Sequence, residues 1–407
     1  MGTSWVDHPS WELVEHASTV VDRDVAGLLL HADQGLLTQT GNAQLATFVL
    51  SLVILDATER IGLEPAACAG HSLGEYTALV ATGALSYEDG LRLVTERGFA
   101  MQDAAENAPG TMMAVLGLSD DDVEAACFRA EGDAWVANFN APGQVVIAGT
   151  KEALDRAAKI ARSLGAKRVV SFPVGGAFHT PLMAPARERL RKALAEVHIH
   201  ESDPVVIANV DAHAHPDPAD WPGLLSAQLC GPVRWRQSLE TLHRNGARTF
   251  VELGPGGVLT GLVKRVLAEE GLRSYSVETP ADLEVLTEAL TGAEAEVSSR
   301  RATKGVTERY VMTERLIVSP ANGPFTPAEG FGAAALRLVT SNEPQMARDP
   351  LRVDVGDLVG HAGKAEIRSA FAGTLEGLLV LSGERVMTGQ PVAWLRAEPD
   401  QEGSEGH

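Results

Sequence analysis

The sequence predicts an α/β protein: a large part built on a parallel sheet with a hydrolase-like strand-to-helix turn, a small ferredoxin-like subdomain inserted into it, and an all-β domain towards the C-terminus. Three observations carry this reading. Short apolar runs alternate with segments of helical periodicity across residues 1–290, the order that a parallel sheet covered by helices requires. A Gly-x-Ser-x-Gly pentapeptide, Gly70-His71-Ser72-Leu73-Gly74, stands between one such run and one such helix. After residue 312 glycine-punctuated β-type runs take over.

The elements follow in order. Residues 43–55 are apolar and helix-favouring, and Ala66-Ala67-Cys68-Ala69-Gly70 reads as a buried strand closed by glycine. Helices are expected over 74–82 and 87–103, the second capped by Ser86. A β-α-β-β-α-β order fills about 112–173: a strand at 112–118, a helix at 120–131, two strands within 135–149 around the turn sequence Asn140-Ala141-Pro142-Gly143, a helix at 151–164 and a strand at 167–173. A helix over 181–197, a strand over 205–210, a helical stretch over 221–243 and a strand over 249–253 complete the large part. Within 291–312 the apolar pattern lapses among Glu294, Glu296, Ser298, Ser299, Arg300 and Arg301, the composition of a linker. Residues 313–398 form the β domain and 399–407 a tail.

A chain of 407 residues is too long for one ordinary core. Its 45% hydrophobic and 22% charged residues are those of a globular protein. The formal charge of −20 excludes a general nucleic-acid binder, which needs a basic surface to displace counterions. An anionic ligand must therefore meet a local basic patch, for which Arg187, Arg189, Arg191, Lys192, Arg234 and Arg236 are candidates. Cys68, Cys127 and Cys230 are odd in number and lack metal-ligand spacing, so no metal site is expected and a reducing compartment is. No membrane-length apolar run and no signal-like start are present, which points to a cytoplasmic protein without a membrane partner.

The pentapeptide carries the chemistry. Its glycines permit a sharp turn that lifts the Ser72 hydroxyl into a cleft, and the Leu73 amide then points towards a developing oxyanion. A serine nucleophile needs a base, and among twelve histidines His179 lies just after a strand and before a helix, within Val174-Gly175-Gly176-Ala177-Phe178-His179-Thr180-Pro181.

Five ordered runs carry a resemblance over nearly all of residues 1–290: Gly70 to Tyr76, Arg97-Gly98-Phe99-Ala100-Met101-Gln102, Asn138 to Gly149, Phe178-His179-Thr180 and Glu252-Leu253-Gly254-Pro255-Gly256. Together they resemble the malonyl-CoA:acyl-carrier-protein transacylases of fatty-acid and polyketide synthesis. The resemblance implies transfer of a malonyl group from malonyl-CoA, through a Ser72 acyl-enzyme, to the phosphopantetheine thiol of an acyl carrier protein, with no bound cofactor. It also implies that His179 is base and then acid, and that the backbone carbonyl of Gln228 orients it. Arg97 would hold the malonyl carboxylate by two parallel hydrogen bonds, a fork that lysine cannot offer. Phe178 matches the malonyl-selective variant, and by the same resemblance Gln44 and Met101 would line the cleft. Leu45 stands where the family usually has proline.

Members of that family begin with a strand ending in a Gly-Gln-Gly-Ser-Gln type loop, whose glutamine completes the oxyanion hole, and Met1-Gly2-Thr3 aligns just after it. The expectation is a chain with half an oxyanion hole and without a central strand, poorly active or unstable as written, with a misplaced start the simpler explanation. Two other functions share these features: a hydrolase that clears wrong acyl groups from carriers, which would not need Arg97, and a non-catalytic carrier-binding scaffold.

Within the β domain, Ser319 to Phe325 is echoed by 369–375 and Val355 to Val359 by 381–386. These halves resemble the biotinyl/lipoyl carrier fold, which presents a modified lysine on a hairpin between them. Gly363-Lys364-Ala365 lacks the Met-Lys-Met of biotin domains, so the expectation is a degenerate carrier fold with neither biotin nor lipoate on Lys364.

Overall fold

The computed structural model describes residues 1–269, 271–290, 314–328, 352–369, 372–378, 380, 382–383, 385–386 and 391–396. The sequence-predicted linker (291–312) and tail (399–407), and part of the second echoed half, lie outside these residues. The chain divides into two compact units, Met1–Ala295 and Glu296–His407.

The first unit opens with α1 (Glu12–Val21), α2 (Val25–Leu30) and α3 (Gln34–Leu37), which lead to α4 (Thr40–Arg60). That helix is apolar on every side because it is enclosed on every side: Leu45, Phe48, Val49, Leu50, Val53 and Ile54 are fully buried. Each such side chain contributes about 1.5–3 kcal/mol by leaving water. The helix is long and apolar enough to cross a membrane, yet 78% of its apolar window is buried inside the fold.

Strand β1 (Cys68–Ala69) runs into the Ser72 turn, and α5 (Gly74–Ala81) runs out of it. Next comes α6 (Tyr87–Asn107), capped by Ser86, whose hydroxyl accepts the Asp89 N–H at 3.1 Å. The inserted subdomain comprises β2 (Thr111–Leu116), α7 (Asp120–Arg129), β3 (Ala134–Ala141), β4 (Gln144–Gly149), α8 (Lys151–Ser163) and β5 (Arg168–Ser171). Its four strands pair antiparallel in the order β3-β4-β2-β5 over a core of their own. Asn140 and Ala141 belong to β3, so the reversal is confined to Pro142 and Gly143, the latter at φ 67°.

After α9 (Ala184–Leu194) come β6 (Val206–Ile207), α10 (Trp221–Gln228), α11 (Trp235–Arg244), β7 (Thr249–Leu253), α12 (Val258–Val266) and β8 (Arg273–Val277). Two expectations need correction here. The parallel strands form two separate pairs, β1 with β6 and β7 with β8, and not one continuous sheet. Both members of the first pair are cut to two residues because side chains take the groups that would extend the ladder. Asn209 Nδ2 donates to the Gly70 carbonyl at 2.7 Å, and the Asn209 N–H donates to Glu75 Oε1 at 2.6 Å. The helical stretch 221–243 is likewise broken between α10 and α11, where Pro232 has no N–H and Val233 bonds in both directions to the Ala137 and Phe139 backbone. The break leaves the Gln228 carbonyl at a helix end, outside the α-helical ladder.

The second unit, in its described residues, consists of eight strands: β9 (Glu314–Val318), β10 (Gly323–Pro327), β11 (Arg352–Val353), β12 (Leu358–Ala362), β13 (Ala365–Arg368), β14 (Gly373–Leu378), β15 (Arg385–Val386) and β16 (Pro391–Arg396). They form two four-stranded sheets, β13-β12-β10-β15 and β11-β14-β16-β9, around Phe325, Val353, Val359, Ile367 and Val386. Ala362 pairs with Ala365, so Gly363, at φ 62°, and Lys364 form the two-residue tip of the β12–β13 hairpin, and Lys364 is exposed.

Candidate active site

The Ser72 turn is made possible by one glycine more than the other. A Cβ on Gly70 would fall 1.9 Å from the Gly74 backbone, whereas a Cβ on Gly74 meets nothing within 4 Å. Close approach therefore demands glycine at 70 and not at 74. Ser72 itself is left-handed, at φ 54°, which is strained for a residue with a Cβ. The Leu73 N–H sits at the cap of α5, outside the helical ladder and free to meet a developing negative charge.

His179 is also left-handed, at φ 62°, and 4% exposed. Its Nε2 lies 2.8 Å from Ser72 Oγ and its Nδ1 lies 2.8 Å from the Gln228 carbonyl oxygen. A carbonyl can only accept, so Nδ1 carries the proton and Nε2 presents a lone pair to the serine hydroxyl. Burial, and next the nearby Arg97 charge, push the histidine down to about 3, so it rests neutral.

Arg97, on α6, is buried with its guanidinium over the Tyr76 ring, 5.5 Å from the centroid. One terminal nitrogen donates to Gln44 Oε1; the other donates to Ser72 Oγ at 3.0 Å and to Gln228 Oε1 at 2.9 Å. All these partners are neutral, which leaves the cation able to receive an anion. Gln44 Nε2 donates to Met101 Sδ at 3.4 Å. Phe178 folds over Gly176, where a Cβ would fall 2.5 Å from the ring.

The arrangement places an oriented imidazole and a guanidinium each within direct hydrogen-bonding reach of one serine hydroxyl, the parts that acyl transfer from a donor bearing a carboxylate requires. Comparisons with known proteins agree. The acyl transferase domain family matches residues 5–302. The malonyl CoA-acyl carrier protein transacylase of Bacillus subtilis is 38% identical over 281 residues, which cover 68% of this chain and 88% of that protein. The chain belongs to this transacylase family.

Solved structures of the family superpose on it. An acyl carrier protein S-malonyltransferase from Vibrio cholerae is 39% identical with a TM-score of 0.65, over 68% of this chain and 91% of that one. A malonyl-transacylase in complex with a type II PKS acyl-carrier protein is 35% identical with a TM-score of 0.65, over 67% and 89%.

In this transacylase fold the predicted residues Ser72, Leu73, Arg97, Gln44, Met101, Phe178, His179 and Gln228 all fall at or beside one site, while Lys364 belongs to the other unit. Sequence reasoning passed over two residues that the site is built on. Glu75 is fully buried and burial raises its carboxyl to about 7, and Asn209 is fully buried as well. Each left a signal: a carboxylate among apolar residues of α5, and an amide ending the run Val205-Val206-Ile207-Ala208. His71 was also passed over; its Nε2 lies 2.9 Å from Asn140 Oδ1 and ties the turn to the inserted subdomain.

The expected basic patch is largely engaged within the fold. Arg189 pairs with Glu96 and Asp103, Arg191 with Glu188, and Arg236 with Asp120, while Arg234 donates to the Val210 carbonyl. Arg187 and Lys192, exposed on α9, are the remaining candidates.

Proposed function

We propose that this chain transfers a malonyl group from malonyl-CoA to the phosphopantetheine thiol of an acyl carrier protein, in the cytoplasm, as a step of fatty-acid or polyketide assembly. The observation that carries the reading is the contact of Ser72 Oγ with both His179 Nε2 and Arg97. In the first half-reaction Ser72 Oγ attacks the thioester carbon, its proton passes to His179 Nε2, and the Leu73 N–H meets the oxyanion. Collapse breaks the carbon–sulfur bond, and His179 returns the proton to the departing coenzyme A sulfur. The carrier thiol then attacks the serine ester, giving its proton to His179, and the serine oxygen leaves and recovers it. Arg97, its partners Gln228 and Ser72 yielding, holds the malonyl carboxylate by its fork. A hydrolase of uncharged acyl groups would have no use for this buried cation.

Intact-protein mass spectrometry tests the reading. Mixing the chain with malonyl-CoA should add one malonyl mass, which should move to a holo carrier protein when that is added; absence of any adduct would point to the non-catalytic scaffold instead. The neutral resting histidine predicts a further result. An imidazole titrating at its ordinary 6.5 would cost acylation roughly 30-fold on going to about pH 5. With His179 held at about 3, its titration should add no such limb, and a limb in this range belongs to Glu75, whose carboxyl burial raises to about 7. Stopped-flow acylation of the wild-type chain and of Glu75→Gln between about pH 5 and pH 8 measures it; a full limb near 6.5 that persists in Glu75→Gln would contradict the assignment.

Residues 313–398 are read as a biotinyl/lipoyl-type domain without an attached group. Supporting this are the two four-stranded sheets and the exposed Lys364 at a hairpin tip, flanked by Gly363 and Ala365 in place of methionines.

A further inference from the structure

We propose that Asn209 and Glu75 are positioning residues that lock the Ser72 turn from behind, an inference that rests on Ser72 being the nucleophile. A left-handed serine persists only where its surroundings over-determine it. Here both backbone groups of Ser72 are held by side chains from distant segments. Asn209 Oδ1 accepts the Ser72 N–H at 2.7 Å while its Nδ2 donates to the Gly70 carbonyl at 2.7 Å, so one amide spans the turn. The backbone groups it faces leave no choice of amide orientation. The Ser72 carbonyl accepts Gln228 Nε2 at 2.8 Å.

These two clamps meet at one carboxylate. Glu75 Oε1 accepts the Asn209 N–H at 2.6 Å, and Oε2 accepts Gln228 Nε2. The same Gln228 orients His179 through its carbonyl and holds Arg97 through Oε1. Glu75 thus joins the turn, the base and the cation from a position with no solvent exposure and without facing the reacting atoms. A glutamine would fit the space but not the pattern, because its NH₂ would face an N–H donor on one side or the other, and one of the two clamps would lose its acceptor.

The test uses the full chain with Asn209→Ala, Glu75→Gln and Ser72→Ala. Three properties are measured: single-turnover acylation by malonyl-CoA, the rate of labelling by a fluorophosphonate, and thermal unfolding. The fluorophosphonate reports serine reactivity without a carboxylate for Arg97 to hold. Both positioning variants should stay folded and should lose about 10- to 100-fold in acylation and in labelling alike. Malonyl-CoA affinity, measured with each change placed on Ser72→Ala, should move by less than about 3-fold, since positioning acts on the reaction and not on ground-state binding.

Labelling at the wild-type rate in a folded Glu75→Gln protein overturns the inference. If Asn209→Ala fails to fold, the isosteric Glu75→Gln decides alone; if both fail to fold, the residues serve folding and the inference is wrong. Fluorophosphonate labelling of Ser72→Ala at the wild-type rate would instead sink the assignment of the nucleophile, a separable outcome.

Discussion

Ser72→Ala is expected to take up no malonyl group and to lose transfer by on the order of 10⁴–10⁶ in kcat, the usual cost of removing a nucleophile whose partners remain in place. The fold should survive the change. The hydroxyl makes two hydrogen bonds, to His179 Nε2 and from Arg97, while the backbone clamps on residue 72 do not involve it. The melting temperature should therefore move little, and the protein should still bind malonyl-CoA through Arg97. A malonyl adduct that forms on Ser72→Ala at the wild-type rate would place the nucleophile elsewhere.

Arg97→Ala is expected to cost roughly 10²–10⁴ in kcat/KM for malonyl-CoA, because two charge-assisted hydrogen bonds at about 1.5–3 kcal/mol each are lost. Acetyl-CoA, which has no carboxylate, should lose far less, so the ratio of the two donors collapses. The truncation also strands Gln44 Oε1 and Gln228 Oε1, both previously acceptors from the guanidinium, in a buried site. Some loss of stability should accompany the change, although relief of the buried charge offsets part of it; burial already lowers the affinity of this guanidinium for its proton. Arg97→Lys should fall between, since an ammonium cannot reach both glutamines with a planar fork. Equal losses with malonyl-CoA and acetyl-CoA would show that Arg97 serves the fold and not the donor's carboxylate.

Much of the site was legible in the chain because its chemistry is tied to local constraints. A serine forced into a left-handed turn needs a neighbour without a Cβ, and Gly70 announces that need two residues ahead of it. Apolar periodicity likewise marks α6, whose core-facing side chains recur with the helical period, while unbroken apolar runs mark α4 and the strands β2 and β4 of the inserted subdomain. The basic patch was overestimated for the opposite reason: arginine counts along α9 and α11 say nothing of the carboxylates brought against them. Glu96 lies 93 residues along the chain from Arg189, and Asp120 lies 116 residues from Arg236.

Residue type and short-range spacing thus suffice for the turn at Ser72, the helical and strand identities of most elements, and the kinds of group available for chemistry. Packing settled which of those groups meet. His179, Asn209 and Gln228 stand 107, 137 and 156 residues from Ser72 along the chain, and each reaches it by a hydrogen bond. Further long-range contacts, of Asn209 with Gly70 and Glu75, of Val233 with Ala137 and Phe139 and of the Gln228 carbonyl with His179, cut β1 and β6 short, held the break in the helical stretch after Gln228 and set the tautomer of His179. Steric rules act between neighbours in sequence, whereas the partner of a buried polar group is whichever distant atom the folded core delivers to it.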